Sequence, residues 1–314
     1  MKKPNFFIIG GSRCGTTALS EYLREHPRIF MSLPKEPGYF AAHLPYPRFR
    51  FARNDDEYMN LFKRATDDHI AVGEASAIYM YYPEAIRAIR AFNPDAKLVA
   101  MVRNPVDMVY SWHSLLQYWF EEDEPDFRKA WELQDVRAKG EHVPEKCRDY
   151  RVLLYRDVGK FGEQMEAVCS IWPREQVRCY LLDDFAEDTK GLYEDILSFL
   201  GVPSDGRTEF PRINENKQHR NQSLARFVAQ PPEIWLKTSM LLKKTTGIEH
   251  FGILEALMLR TARKATRPKL DPAFRAELIE VFRDDIHKLS RLLDRDLSHW
   301  LEDRTLNVTQ GATT

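Results

Sequence analysis

Two short stretches of this chain carry residue types whose spacing can do chemistry. The first is Gly10-Gly11-Ser12-Arg13-Cys14-Gly15-Thr16-Thr17, which follows the apolar run Phe6–Ile9 and precedes a helix-forming segment. Its glycines have the spacing of a loop that turns tightly between strand and helix and aims backbone amides, with the positive end of the helix, at an anion. The ATP-binding version of that loop requires lysine where this chain has Thr16. Here the cation is Arg13, inside the loop, where a guanidinium is costly unless it meets an anion to which it can fork. Gly11, Ser12, Arg13, Cys14, Gly15, Thr16 and Thr17 therefore form the candidate anion-binding set, with both threonine hydroxyls as added donors. The second stretch is Leu98–Ser111, LVAMVRNPVDMVYS. A buried strand ends at Arg103, Asn104 can cap a helix, Pro105 suits its first position, and Asp107 complements the dipole in the first turn. Ser111 lies two helical turns beyond Asn104 and can face the same place as Arg103, so the pair suits a phosphate.

These residues need a scaffold, and the pattern of the chain supplies one. Residues 5–10 read as a buried strand, and Thr17 onward as a helix ending near His26-Pro27. Residues 34–66, rich in aromatics, arginine and proline without periodicity, are expected to be irregular surface segments and an acceptor rim. A helix from Pro83, a turn at Asn93-Pro94 and a strand over Lys97–Val102 repeat the alternation. An exposed helical excursion is expected over about 115–151, then a helix over GKFGEQMEAVCSIWP, the strand QVRCYLL and one helix ending at Gly201. Asp183 and Asp184, after that strand, read as caps for the following helix more readily than as magnesium ligands. Asp271 and Pro272 start a C-terminal helix, about 271–301, with Phe274, Leu278, Val281, Phe282, Leu289 and Leu292 as its apolar stripe. Residues 303–314 read as a flexible tail. The recurring strand-to-helix order implies an α/β fold with a mostly parallel central sheet flanked by helices, as one domain over 1–302.

Composition narrows the partners. The 314 residues are 43% hydrophobic, enough for a sizeable core, and 46 basic residues against 47 acidic ones leave a net charge of −1. That balance offers no field for nucleic acid or an anionic membrane, so any anion site is local. The apolar run after Lys2 and Lys3 is too short for a signal peptide or a spanning helix, and the expectation is a cytoplasmic protein without a transmembrane segment. Cys14, Cys147, Cys169 and Cys179 lack metal-ligand spacing and read as reduced thiols. Cys14, near a helix N-terminus, has the position of a reactive thiol, yet the loop demands only a small residue there.

With these motifs in place, the chain resembles the sulfotransferases that use 3′-phosphoadenosine 5′-phosphosulfate. The resemblance rests on GGSRCGTTAL as the 5′-phosphosulfate loop, RNPVDMVYS as the 3′-phosphate motif and PKEPGYF as the segment bearing the base, with LLYRDVGKFGEQ and VRCYLLDDF similar further on. It implies a fold like that of the P-loop NTPases, transfer of a sulfuryl group to an acceptor hydroxyl, adenosine 3′,5′-bisphosphate as product, and no metal. It also implies that Arg13 meets oxygens around the transferring group and that Glu36 is the general base, with His43 as the fallback. NENKQHRN, residues 214–221, resembles the late segment that closes over the nucleotide, which makes Lys217 and Arg220 candidates for the 3′-phosphate. Two departures bear on the acceptor. Ala75, in GEASAIY, stands where many glycan-modifying members carry lysine, and Gly38 stands where a larger residue is common. Small-molecule, lipid, carrier-bound and carbohydrate hydroxyls all stay open as acceptors. The alternative reading is an ATP-dependent kinase, supported by the glycine spacing and Asp183-Asp184 and opposed by the missing lysine. A nucleotide-binding module without catalysis would leave Glu36 without a role.

Overall fold

The computed structural model describes residues 1–41, 52, 54–147, 149–211, 213 and 267–302, together with the backbone of 217–219 and 262–264. Its framework is a five-stranded sheet of β1 (Phe6–Gly10), β2 (Ile29–Met31), β3 (Ala71–Ala75), β4 (Lys97–Val102) and β5 (Val177–Leu181), in the order β2-β3-β1-β4-β5. All four pairings are parallel. Every residue of β1 is buried, and so is β4 from Leu98 onward. A parallel sheet covered on both faces selects such unbroken apolar runs rather than alternation. From β1 the chain crosses to the edge strand β2 and comes back to place β3 beside β1, then crosses to the other side to lay β4 and β5. The reversal leaves a crevice beyond the C-terminal ends of β1 and β4, where open parallel sheets hold ligands.

The helices are α1 (Thr16–Arg24), α2 (Asp55–Asn60), α3 (Pro83–Phe92), α4 (Pro105–Tyr118), α5 (Phe127–Glu132), α6 (Gln134–Arg137), α7 (Tyr155–Val158), α8 (Phe161–Ile171), α9 (Leu182–Glu187), α10 (Thr189–Leu200) and α11 (Pro272–Leu293). Two strands of three residues, β6 (Lys217–His219) and β7 (Ala262–Lys264), pair antiparallel. The start of α4 is as the sequence predicts: the Asn104 side chain accepts from the amides of Val106 (3.0 Å) and Asp107 (3.4 Å), with Pro105 in the first turn. Asp107 also takes an ion pair from Arg275 of α11 at 2.7 Å, which ties α4 to the C-terminal helix. At the head of α8 the cap comes from across the fold, because the Asp285 carboxylate accepts from the amides of Gly162 (2.7 Å) and Glu163 (2.9 Å). None of the described helices is long and apolar enough to cross a membrane.

Several expectations need correction. Part of 34–66 is neither irregular nor superficial: α2 lies within it, and Phe40, Tyr58 and Phe62 are core residues. The single helix expected up to Gly201 is two, and Asp188 is the cap between them, accepting from Gly191 N–H at 2.8 Å. Asp183 and Asp184 lie instead in the first turn of α9. The C-terminal helix stops at Leu293, and Val281 of its supposed stripe is 44% exposed.

The excursion after α4 is exposed only in part, because a set of its residues is buried. Its Arg137 is fully buried and grips Glu122 with two bonds, at 2.6 and 2.7 Å, while the Tyr155 hydroxyl donates to the same carboxylate at 2.5 Å. Burial alone would push the Glu122 carboxyl up, but Arg137 and Tyr155 win and hold it below its usual range. Removing one member of such a pair strands a buried charge. Arg137→Ala is therefore expected to lower the unfolding free energy by about 3–5 kcal/mol in urea denaturation. A loss near zero would mean that water reaches Glu122 and that the segment is held by other contacts.

Candidate active site

The loop after β1 takes its shape from close backbone approach. Gly10 has φ +129, and a Cβ there would lie 2.3 Å from the Met101 carbonyl oxygen of β4, which only glycine avoids. The same carbonyl accepts the Gly11 amide at 2.9 Å. Gly15, at φ +87, occupies the cap position of α1 with no side-chain cap, so the first amides of that helix face the loop. Arg13 lies at φ +69, a left-handed conformation that costs about 1–3 kcal/mol for a residue with a Cβ and concentrates at functional sites.

That strained backbone delivers the Arg13 guanidinium to α4. Its Nε donates to Ser111 Oγ at 2.9 Å, and Arg267 Nη2 donates to the same oxygen at 3.1 Å. Arg103, at the end of β4, donates from Nη1 to the Arg13 carbonyl at 3.3 Å. Burial and then the neighbouring Arg103 push the Arg13 guanidinium below its usual range. Arg267 is pushed down by burial and then by Arg13 and Arg103, and it lies over the Tyr110 ring at 5.1 Å. Crowded like charges of this kind are relieved by an anion among them.

The second half of the site is the turn Lys35–Phe40. Glu36 sits at φ +58, its amide bonded to the Ala75 carbonyl at 2.9 Å. Its carboxylate accepts from the Ala77 amide at 3.0 Å through Oε2 and from the Lys35 ammonium through Oε1. The same ammonium reaches the Thr16 hydroxyl at 3.4 Å, so Lys35 spans the gap between the candidate base and the anion loop. Beneath this turn Glu74 is fully buried, and its carboxylate accepts from the hydroxyls of Tyr58 (2.9 Å), Ser76 (2.9 Å) and Tyr79 (3.1 Å).

The structure thus brings together Gly11 to Thr17, Arg103 and Ser111, and sets Glu36 beside them through Lys35. Lys217 is in β6, opposite Lys264, where the backbone alone is described. Arg220 and His43 lie outside the described residues. Three residues of the site were not foreseen as such. Arg267 is 156 positions from Ser111 and has no motif around it, so nothing local could have flagged it. Lys35 had the signal of adjacency to Glu36. Glu74 had the signal of a carboxylate set among small apolar residues in AVGEAS. Asp183 and Asp184 are committed elsewhere, the first accepting from the Trp300 indole at 2.6 Å and the second paired with Arg295. Among the described residues no group of three or more His, Cys, Asp or Glu could hold a metal ion.

Fold and site together define an α/β protein whose phosphate-type loop and clustered arginines meet at the switch point of a parallel sheet. Residues 3–289 match the sulfotransferase domain model, and the chain belongs to that family of enzymes. A sulfotransferase from Alicyclobacillus acidocaldarius has a similar structure, with a TM-score of 0.67 at 27% identity over 96% of this chain and all of its own. The human bifunctional heparan sulfate N-deacetylase/N-sulfotransferase 3 is 26% identical over 97% of this chain. Mouse carbohydrate sulfotransferase 15 is 25% identical over 63% of it. The chain spans 32% and 44% of the lengths of those two relatives.

The reactive option for Cys14 is overturned. Its side chain is fully buried and burial pushes the thiol up to about 12, which outweighs Arg103 and Arg13 nearby. Cys14 is expected to resist iodoacetamide at pH 8 in the native protein and to label only in denaturant, as read by peptide mass spectrometry. Rapid native labelling would show that the loop opens to solvent.

Proposed function

We propose that this sulfotransferase takes its sulfuryl group from 3′-phosphoadenosine 5′-phosphosulfate and passes it to an acceptor hydroxyl, with Glu36 as general base. The observation that carries the reading is the single Ser111 oxygen contacted by both Arg13 and Arg267, with Arg103 beside them at the mouth of the loop. Such a cluster fits a nucleotide with a phosphate at each end. In this reading the loop amides and Thr16 hold the 5′-phosphosulfate, and Ser111, Arg103 and Arg267 hold the 3′-phosphate. By the family resemblance Lys217 and Arg220 are further contacts for that phosphate. Arg13 lies between the two ends and offsets charge as it moves toward the leaving oxygen.

The acceptor oxygen attacks sulfur in line, its proton passes to Glu36, and the bond from sulfur to the 5′-phosphate oxygen breaks. Lys35, bonded to both Thr16 and Glu36, keeps the base beside the transferring group and offers a cation to its oxygens. A sulfuryl group carries less charge than a phosphoryl group, so the arginines and loop amides serve where phosphoryl transfer uses magnesium. A kinase is not favoured, since the loop lacks its lysine and Asp183 and Asp184 face Trp300 and Arg295. The carbohydrate enzymes among the relatives support a sugar as one acceptor. Among the described residues a Cβ at Gly38 would meet only the Glu36 carbonyl, at 3.9 Å, which suits a bulkier acceptor beside the base.

Calorimetric titration in chelator tests the donor. Adenosine 3′,5′-bisphosphate is expected to bind, with ATP and 5′-AMP far weaker, and binding of ATP alone and only with magnesium would overturn the reading. Arg103→Ala should weaken the bisphosphate by about 1.5–3 kcal/mol, the worth of a hydrogen bond to a charged group, while scarcely changing 5′-AMP. Equal losses for both would move the 3′-phosphate elsewhere. Glu36→Gln should keep bisphosphate affinity and lower turnover by about 10²–10⁴, the usual contribution of a general base. Near-normal turnover would assign the base to another residue.

A further inference from the structure

The segment GEASAIY binds Glu36 through the Ala75 carbonyl and the Ala77 amide, and it also carries the fully buried Glu74, to which the reaction above gives no role. Two of the three hydroxyls that donate to this carboxylate also accept from the base-bearing turn. Ser76 Oγ donates to Glu74 Oε2 at 2.9 Å and accepts from the Gly38 amide at 3.2 Å. The Tyr79 hydroxyl donates to Oε1 at 3.1 Å and accepts from the Phe40 amide at 3.3 Å. A hydroxyl has one proton to give. Because an ionised carboxylate only accepts, it draws both protons and turns the lone pairs of both oxygens toward the amides of residues 38 and 40. The Tyr58 hydroxyl is the third donor, at 2.9 Å, and its ring stacks on Tyr39 at 4.4 Å. The turn so held includes two left-handed residues, Glu36 at φ +58 and Gly38 at φ +62, and only the first lacks a glycine's freedom.

We propose that Glu74 is a positioning residue for the transfer reaction, an acceptor-only centre that sets the direction of the Ser76 and Tyr79 relays and thereby aims the Glu36 carboxylate. The inference rests on Glu36 being the base. Burial, joined by a smaller push from the Glu36 charge, raises the Glu74 carboxyl to about 7 against the bonds from Ser76, Tyr58 and Tyr79. The titratable groups that face it are Tyr58 from α2, Tyr79 from the turn after β3 and Glu36 from the loop. Above that pH all three hydroxyls point at an acceptor. Below it the carboxyl carries a proton that one of the three hydroxyls must turn to accept, and where that hydroxyl is Ser76 or Tyr79 its bond to the loop amide is lost.

Glu74→Gln tests this, because the amide keeps the shape and supplies a donor where only an acceptor serves. In ¹⁵N-labelled wild-type protein the Gly38 and Phe40 amide resonances are expected to shift together with a midpoint near pH 7. In Glu74→Gln that shift should vanish. Turnover of 3′-phosphoadenosine 5′-phosphosulfate with water as acceptor should fall about tenfold or more, the scale of a misplaced catalytic group, with bisphosphate affinity held within about twofold. Tyr58→Phe, which cuts a donor but neither relay, should keep turnover. If Glu74→Gln does not fold, Ser76→Ala and Tyr79→Phe each cut one relay and should lower turnover without loss of bisphosphate binding. Wild-type amides indifferent to pH would overturn the proposal, as would normal turnover in Glu74→Gln beside an impaired Glu36→Gln. Normal turnover in Glu36→Gln would instead remove the base assignment, and the amide titration would then stand as the measure of whether Glu74 holds the turn.

Discussion

The crowding of positive charge around Ser111 is the constraint from which the rest of the site follows. Arg13 and Arg267 share one serine oxygen and Arg103 bonds to the Arg13 carbonyl. Two of these guanidinium groups are partly desolvated and pushed down by burial and by one another. Holding like charges together has a cost in the absence of ligand, and an anion reverses its sign. The scaffold must therefore be stiff, because a soft one would let the arginines separate. A central β1 buried on both faces, locked to β4 from Phe6↔Lys97 to Gly10↔Met101, supplies that stiffness where the loop departs.

Strain follows the same logic. The two residues at the centre of the proposed chemistry, Arg13 and Glu36, are also two of the five non-glycine residues with positive φ among those described. Such a backbone persists only where its surroundings over-determine it. At Arg13 they do so through the Met101 carbonyl beneath the loop and the Ser111 bond ahead of it. At Glu36 the Ala75 carbonyl, the Ala77 amide and the Lys35 ammonium bind the residue itself, while Ser76 and Tyr79 hold the amides that follow. Position and strain are thus stabilised by the sheet edge, and β3 does for the base what β4 does for the loop.

How much of this could be read from the chain depends on how local each cause is. β1, β4 and β5 are legible because buried parallel strands are continuous apolar runs, and Asn104-Pro105-Asp107 is legible because a cap is made within four residues. β2 and β3 are not legible: one has three residues, and the other, AVGEA, mixes glycine and a carboxylate into a buried strand. The buried pair of Glu122 and Arg137 made a charged segment look solvent-exposed, since sequence shows charge but not its partner. The same reason hid Arg267, whose partner is supplied by tertiary structure alone. Asp183 and Asp184 are not the expected caps because they lie within the first turn of a short helix of their own, where they face Trp300 and Arg295 of the C-terminal segment, and the cap made by Asp188 belongs to the next helix.

The missing loop lysine can now be placed in physical terms. In the ATP-binding loop one ammonium beside the helix N-terminus serves the terminal phosphates as a point charge, with a metal beside it. Here Thr16 holds that position, and its hydroxyl meets an ammonium that arrives from another element, Lys35 of the base-bearing turn. The cation has not been lost so much as moved to the residue next to Glu36, where it bonds both to the loop and to the base. Moving it couples two segments that a loop lysine would leave independent. The planar guanidinium of Arg13 then fills the interior of the loop, reaching Ser111 on α4 as a lysine within the loop would do less specifically. A site divided in this way depends on the relative placement of β1, β3 and β4, and these are the three adjacent strands at the centre of the sheet.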